Sequence, residues 1–235
     1  MIEVDLNGGR VVFSTRQGGV SEGPYSSLNL GILTDDDQSR VAENRARLAR
    51  SAGLDPERVA MGWQVHGTDI ESWSRPPERG GFASPGAELS KVDGHITDAA
   101  GLGLLVLVAD CLPVALASPS RVAMLHCGWR GLAGGIIEKA VASFSDPVSA
   151  AIGPGIGQCH YEVGDEVLDA FSDLDGVASG RMLDLKAVAS AQLRAAGVTE
   201  VVDVDRCTYC EPDVFFSHRR DNGVTGRQGG MVWRT

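Results

Sequence analysis

The longest apolar run of the chain, Leu102 to Ala117, carries Asp110 and Pro113 inside it. It is too short and too broken to span a bilayer. Its first part, Leu104–Ala109, reads instead as a strand buried on both faces that stops at Asp110-Cys111. Val59–Val65 reads as a strand bringing Gln64 and His66 to its end. Val114–Ala117 and Val122–Leu125 flank Ser118-Pro119-Ser120-Arg121 as a hairpin, so His126 falls at the close of its second strand. Gly128-Trp129-Arg130-Gly131 then turns into a helix over Gly134–Phe144.

The remaining elements follow the same mixed style. Ile2–Leu6 and Val11–Thr15 flank the turn composition Asn7-Gly8-Gly9. Asp35–Asp37 caps a helix that carries Asn44 and Arg45 and closes at Gly53. Later come a strand at Ser149–Gly153, helices over Val163–Leu174 and Leu185–Ala196, and a strand at Val198–Val204. An Asp221-Asn222-Gly223 turn precedes Met231-Val232-Trp233. Strands and helices mix without strict βαβ alternation, which points to an α+β fold. The 235 residues show no linker or repeat, and Ser74–Ser90 reads as an ordered surface loop, so one domain over 1–235 is expected.

A net charge of −10 and a pI near 4.9 exclude non-specific binding to nucleic acid or an anionic membrane, but not to a small anion met by local arginines. The start, Met1-Ile-Glu-Val-Asp, lacks a secretory signal, so a cytoplasmic location is expected. Five cysteines in such a chain are thiols rather than a disulfide framework.

Three residues at strand ends, His66, Cys111 and His126, have the donor types of a catalytic zinc, which takes three protein ligands and keeps a fourth position open. Their long spacing leaves two other readings: each is a structural residue, or Cys111 is the nucleophile and His126 the base of a cysteine hydrolase. His160-Tyr161-Glu162 with Cys207-Thr208-Tyr209-Cys210 imitates the H-x-E…C-x-x-C pattern of zinc deaminases, but Arg206 replaces the proline and Cys207 follows a strand.

Four blocks, Trp63-Gln64-Val65-His66-Gly67, Val92-Asp93-Gly94-His95-Ile96-Thr97, Ala109-Asp110-Cys111-Leu112-Pro113 and His126-Cys127-Gly128-Trp129-Arg130-Gly131, resemble successive signatures of the bacterial polyphenol-oxidase (laccase-domain) family. Thr15–Ser21, Ile152–Gly157, Tyr161–Gly164, Cys207–Cys210 and Phe216–Arg220 agree in the same order. The resemblance implies a four-layer αββα sandwich with mixed sheets, and zinc held by His66, Cys111 and His126. It implies phosphorolysis of adenosine, inosine and methylthioadenosine, with deamination of adenosine beside it. Members were first named copper-dependent laccases, so copper is the alternative metal and phenol oxidation the alternative reaction. Gly155 and His160 stand where many members have cysteine, and Cys127 where alanine is common, so the other cysteines are not expected to be essential ligands. Five histidines are too few for several coppers.

Phosphorolysis needs an anion beside a sugar. Arg45 is the expected phosphate clamp, Arg130 at a helix start a second anion ligand, and Arg16 and Asn29 lesser substrate contacts. Equally, Arg45 could lie on a solvated helix face and Arg130 could hold a loop. Asp93 and Asp110 read either as orienters of imidazole N–H groups or as turn caps. Trp63 and Trp129 read as core rather than purine-stacking residues, and His218 with Arg219-Arg220 as structural or pocket-lining. Purine nucleosides and phosphate are the expected partners, with the chain a monomer or small homo-oligomer. A metal-stabilised interaction protein, connected with cell-wall quality control, is the non-enzymatic alternative; it would need a closed four-ligand site.

Overall fold

Asn7 and Gly8, the latter at φ +93, reverse the chain between β1 (Ile2–Leu6) and β2 (Gly9–Phe13), as the turn composition requires. The structure is a computed structural model that describes residues 1–78, 81–85 and 88–235. The helix α1 (Gln38–Ser51) starts where the Asp37 carboxylate accepts the Ser39 N–H. It buries Val41, Asn44, Arg45, Leu48 and Ala49, one face of a helical period.

Next come β3 (Val59–Ala60), β4 (Ile70–Trp73), β5 (Gly94–Thr97) and β6 (Gly103–Val108). The hairpin of β7 (Leu112–Ala117) and β8 (Val122–Cys127) follows. Two short helices, α2 (Trp129–Ala133) and α3 (Ile136–Val141), lead to β9 (Ser149–Ile152) and α4 (Asp165–Asp169). The chain ends with a small hairpin, β10 (Ala178–Ser179) and β11 (Met182–Leu183), then α5 (Leu185–Ala195), β12 (Glu200–Asp203) and β13 (Gln228–Arg234).

Among the described residues the strands form two large mixed sheets, ordered β1-β2-β13-β6-β3 and β12-β9-β7-β8-β5-β4. Period-two alternation sorts their side chains into layers. On β7, Leu112, Val114 and Leu116 pack with Ile136, Ile137, Val188 and Leu193 of the helices. Ala115 and Ala117 face the other sheet, where they meet Phe13, Leu104, Val106 and Val232. The far side of that sheet, with Leu105, Met231 and Trp233, is covered by Leu48 and Ala49 of α1. The order is helix, sheet, sheet, helix: the αββα sandwich. Small residues let the sheets approach closely; a Cβ on Gly230 would lie 2.5 Å from the Pro113 side chain.

Several expected elements come out shorter, among them the strand expected over Val198–Val204, which spans Glu200–Asp203. Val59–Val65 is a strand only over its first two residues, because from Met61 the backbone leaves the sheet and the Gln64 amide takes its place: Nε2 donates to Leu107 O at 2.7 Å and Oε1 accepts from Leu107 N at 2.8 Å. Of the helix expected over Gly134–Phe144 only Ile136–Val141 forms, starting after Gly135 at φ +81, while the expected turn before it holds the short helix α2. Of Val163–Leu174 only Asp165–Asp169 is helical. The Ser74–Ser90 loop is anchored by Phe82, which is fully buried, while its positions 79, 80, 86 and 87 lie outside the described residues. Among the described residues no helix is long and apolar enough to cross a membrane.

Candidate metal centre

The register of the β7–β8 hairpin places the site. Pro113 faces His126 and Leu112 faces Cys127, so Cys111, one residue before β7, projects beside Gly128. His66 arrives from the segment that Gln64 ties to β6. One ligand atom from each of His66, Cys111 and His126 lies within 4.8 Å of the others. The glycine at 128 is a condition of this meeting, since a Cβ there would stand 3.1 Å from Cys111 Sγ and 3.2 Å from His66 Cδ2.

Asp93 organises the group from beneath. Its carboxylate is fully buried and accepts four hydrogen bonds: from Val65 N at 3.0 Å, His66 N at 2.9 Å, Gly67 N at 2.7 Å and His126 Nδ1 at 2.7 Å. Burial pushes this carboxyl up, but the His126 bond and the backbone N–H donors outweigh it and hold the group below its ordinary value. An ionised Asp93 puts the imidazole proton on Nδ1 and leaves the lone pair on Nε2, the tautomer a metal ligand needs. The same bonds hold His66 at φ +60, a left-handed conformation rare outside glycine.

Burial alone would raise the Cys111 thiol, yet His126 and His66 bring it down to about 6. His126 is raised to about 9, because the charge of Cys111 and the Asp93 bond overcome desolvation. The protein thus holds a Cys111 thiolate against a His126 imidazolium, and once His126 gives up its Nε2 proton the donor set suits a divalent metal.

Asp110 has a different task from Asp93. At φ +96 it accepts from Thr208 Oγ1 at 2.6 Å and from Arg219 N at 2.7 Å, anchoring two later loops beside Cys111. The ligands open onto a cleft of about 360 Å³, within the range of small-molecule sites. Its walls include Leu33, Trp63, Gln64, Ile156, Tyr161, His218, Arg219 and Arg227.

The expected anion contacts are redistributed. Arg45 does not face the cleft: it is completely buried, and its guanidinium donates to the carbonyls of Leu30, Gly81 and Phe82. Burial brings it down to about 9. Its carbonyl partners make it a clasp between α1 and the Ser74–Ser90 loop, not a phosphate clamp. Arg45→Ala is therefore expected to lower stability by roughly 2–4 kcal/mol, the cost of leaving several buried acceptors unpaired, with KM for phosphate unchanged in the folded fraction. Denaturant unfolding beside steady-state kinetics checks both.

Arg16 donates to the carbonyls of Ser26 and Pro212 and lies over the Phe216 ring. Arg130 is exposed on the five-residue α2, stacked on Trp129, too short a helix for the expected dipole site. Asn29 is buried behind the cleft, where its Oδ1 accepts from the N–H groups of Gly31 and Arg227, two lining residues. Arg227 was not singled out from sequence. Its Nη1 donates to Thr225 O and Gly226 O, while its other guanidinium nitrogens have no protein partner among the described residues. Cys127 is buried in the apolar layer under the helices, apart from the ligand group.

Fold and site together define an αββα protein with a candidate His/Cys/His metal centre at the floor of a cleft. Residues 10–235 match the family described as multi-copper polyphenol oxidoreductase laccase, and the chain belongs to that family. It is 38% identical to the purine nucleoside phosphorylase YlmD of Geobacillus stearothermophilus, over 94% of this chain and 88% of that protein. It is also 38% identical to the purine nucleoside phosphorylase YfiH of Escherichia coli (strain K12), over 94% and 91% of the two chains. The crystal structure of YlmD superposes with a TM-score of 0.89, covering 97% of this chain and 92% of that one.

Proposed function

We propose that the chain is a zinc-dependent purine nucleoside phosphorylase that takes adenosine, inosine and methylthioadenosine with phosphate, and deaminates adenosine as a side reaction. The observation that carries this reading is the convergence of His66, Cys111 and His126 on one cleft that also presents two arginines. It works in the cytoplasm as a monomer or small homo-oligomer.

When held by His66, Cys111 and His126, zinc supplies a Lewis acid at the reacting centre. The chain's own residues supply the rest. Arg227 and Arg219 bind the phosphate oxygens; Asn29 fixes Arg227 by its backbone N–H, and Asp110 fixes Arg219 in the same way. Trp63 and Ile156 give the purine apolar walls. Burial pushes Tyr161 up to about 12, so its hydroxyl stays protonated and available as a donor to the departing base.

The test is phosphate-dependent release of free purine from adenosine by the purified protein, with ammonia release followed in parallel. Arg227→Ala should raise KM for phosphate about 10- to 100-fold, the worth of a charge-assisted hydrogen bond, and leave the zinc content alone. An unchanged KM would remove Arg227 from the anion site.

Copper-dependent phenol oxidation is a second reading, favoured by the family's description. It requires activity to follow added copper, not bound zinc. A cysteine hydrolase would use the same Cys111 and His126, and it requires turnover without metal and stoichiometric alkylation of Cys111.

A further inference from the structure

A second cluster of metal-ligating side chains lies apart from the first. Cys159 and His160 stand on a short 3-10 turn, Gln158–His160, just after the Gly153–Gly157 loop. Cys207 and Cys210 follow β12. Two strand-like contacts bring these segments together: Gly155 pairs with Cys207 in an isolated parallel bridge, and Thr208 N donates to Gly155 O at 3.0 Å. One ligand atom from each of the four residues lies within 4.8 Å of the other three.

We propose that Cys159, His160, Cys207 and Cys210 hold a second zinc ion in a closed, structural site.

The spacing matches the ion. Tetrahedral zinc with bonds of about 2.3 Å to sulfur and about 2.0 Å to nitrogen places sulfurs about 3.8 Å apart and sulfur about 3.5 Å from nitrogen. Cys159 Sγ lies 3.9 Å from Cys207 Sγ and 3.5 Å from Cys210 Sγ, and His160 Nδ1 lies 3.1 Å from Cys159 Sγ and 3.3 Å from Cys210 Sγ. All four cysteine and histidine atoms are too far apart for a covalent bond, since a disulfide needs about 2.05 Å. The supporting groups fit as well. Gly157 N donates to Cys207 Sγ at 3.2 Å, a bond that favours a thiolate. The His160 ring is stacked on Tyr209, centroids 3.9 Å apart, and so its nitrogen is aimed.

Four protein ligands leave no position for water, which separates this site from the His66/Cys111/His126 group. The deaminase-like spacing of His160, Cys207 and Cys210 thus reflects a real meeting of those residues, but Cys159 takes the corner that a reactive water would need. The site's place explains its use. Thr208, inside the Cys207–Cys210 turn, holds Asp110 next to Cys111, and Ile156 and Tyr161 beside the other turn line the cleft. The ion would fasten two loops on which the reactive cleft is built.

The test uses the full chain incubated with excess zinc, desalted, and treated with iodoacetamide before peptide mass mapping. Cys159 and Cys210 are exposed, so they should label quickly only after a chelator is added. The zinc content should be two per chain, falling to one in Cys207→Ser/Cys210→Ser and independently to one in Cys111→Ala. Prompt labelling of Cys159 and Cys210 in the zinc-treated wild-type protein would overturn the proposal, and so would a Cys159–Cys210 disulfide in protein kept under reducing conditions. The labelling arm needs no variant and stands even if Cys207→Ser/Cys210→Ser does not fold.

Discussion

Asp93→Ala should cost the protein about 3–5 kcal/mol of folding stability, the range for removing one member of a buried charged network, and should at the same time empty the His66/Cys111/His126 centre. Three backbone N–H groups and His126 Nδ1 lose a fully buried acceptor, which is why the expected loss is far above that of a surface carboxylate. His66 also loses the bond that holds it at φ +60, so two of the three ligands are released together. Asp93→Asn separates the two effects. Its one remaining carbonyl oxygen still accepts backbone bonds, but the amide presents N–H where His126 Nδ1 donates. Zinc affinity should fall roughly 10- to 100-fold, the usual cost of disrupting an imidazole's outer partner, with a smaller stability loss. Denaturant unfolding and zinc titration of both variants measure this; an Asp93→Ala protein with native stability and zinc affinity would refute the role given to the carboxylate.

Cys111→Ala is the second large effect. The thiolate faces an open cleft and makes no backbone bond in the sandwich, so the fold should survive with little change in denaturation midpoint. Metal at the three-ligand centre should be lost. Phosphate-dependent purine release and adenosine deamination should fall together, by about a thousandfold or more, if the Lewis acid is worth several kcal/mol to each. Loss of one activity with retention of the other would show that the two reactions do not share the centre.

Burial of β6, β7 and β8 on both faces is readable in their continuous apolar runs, whereas the four-layer order is implied only by the family resemblance. Cys111 and His126 stand beside or at the end of a strand, whereas His66 lies on the irregular segment after β3, and the family resemblance rather than spacing joins the three. What is not readable has physical reasons. Arg45 looks like any arginine on an amphipathic helix; only the fold shows that its carbonyl partners come from segments near residues 30 and 82. Arg227 follows a glycine-rich turn with no periodic signal, and its place in the cleft depends on Asn29, almost the full chain length away. The Gln64 amide ends a strand early by imitating its backbone, and no propensity anticipates that. The four-residue cluster at Cys159 is split across nearly fifty positions, so its fourth member emerges only when Gly155 and Cys207 pair.

Activity measured while metal is removed and returned bears on the whole mechanism most directly. Chelated protein should release no purine from adenosine in the presence of phosphate. Zinc should restore that release in the wild type and should fail to restore it in His126→Ala. Undiminished phosphorolysis by the metal-free protein, or purine release that ignores phosphate, would contradict it.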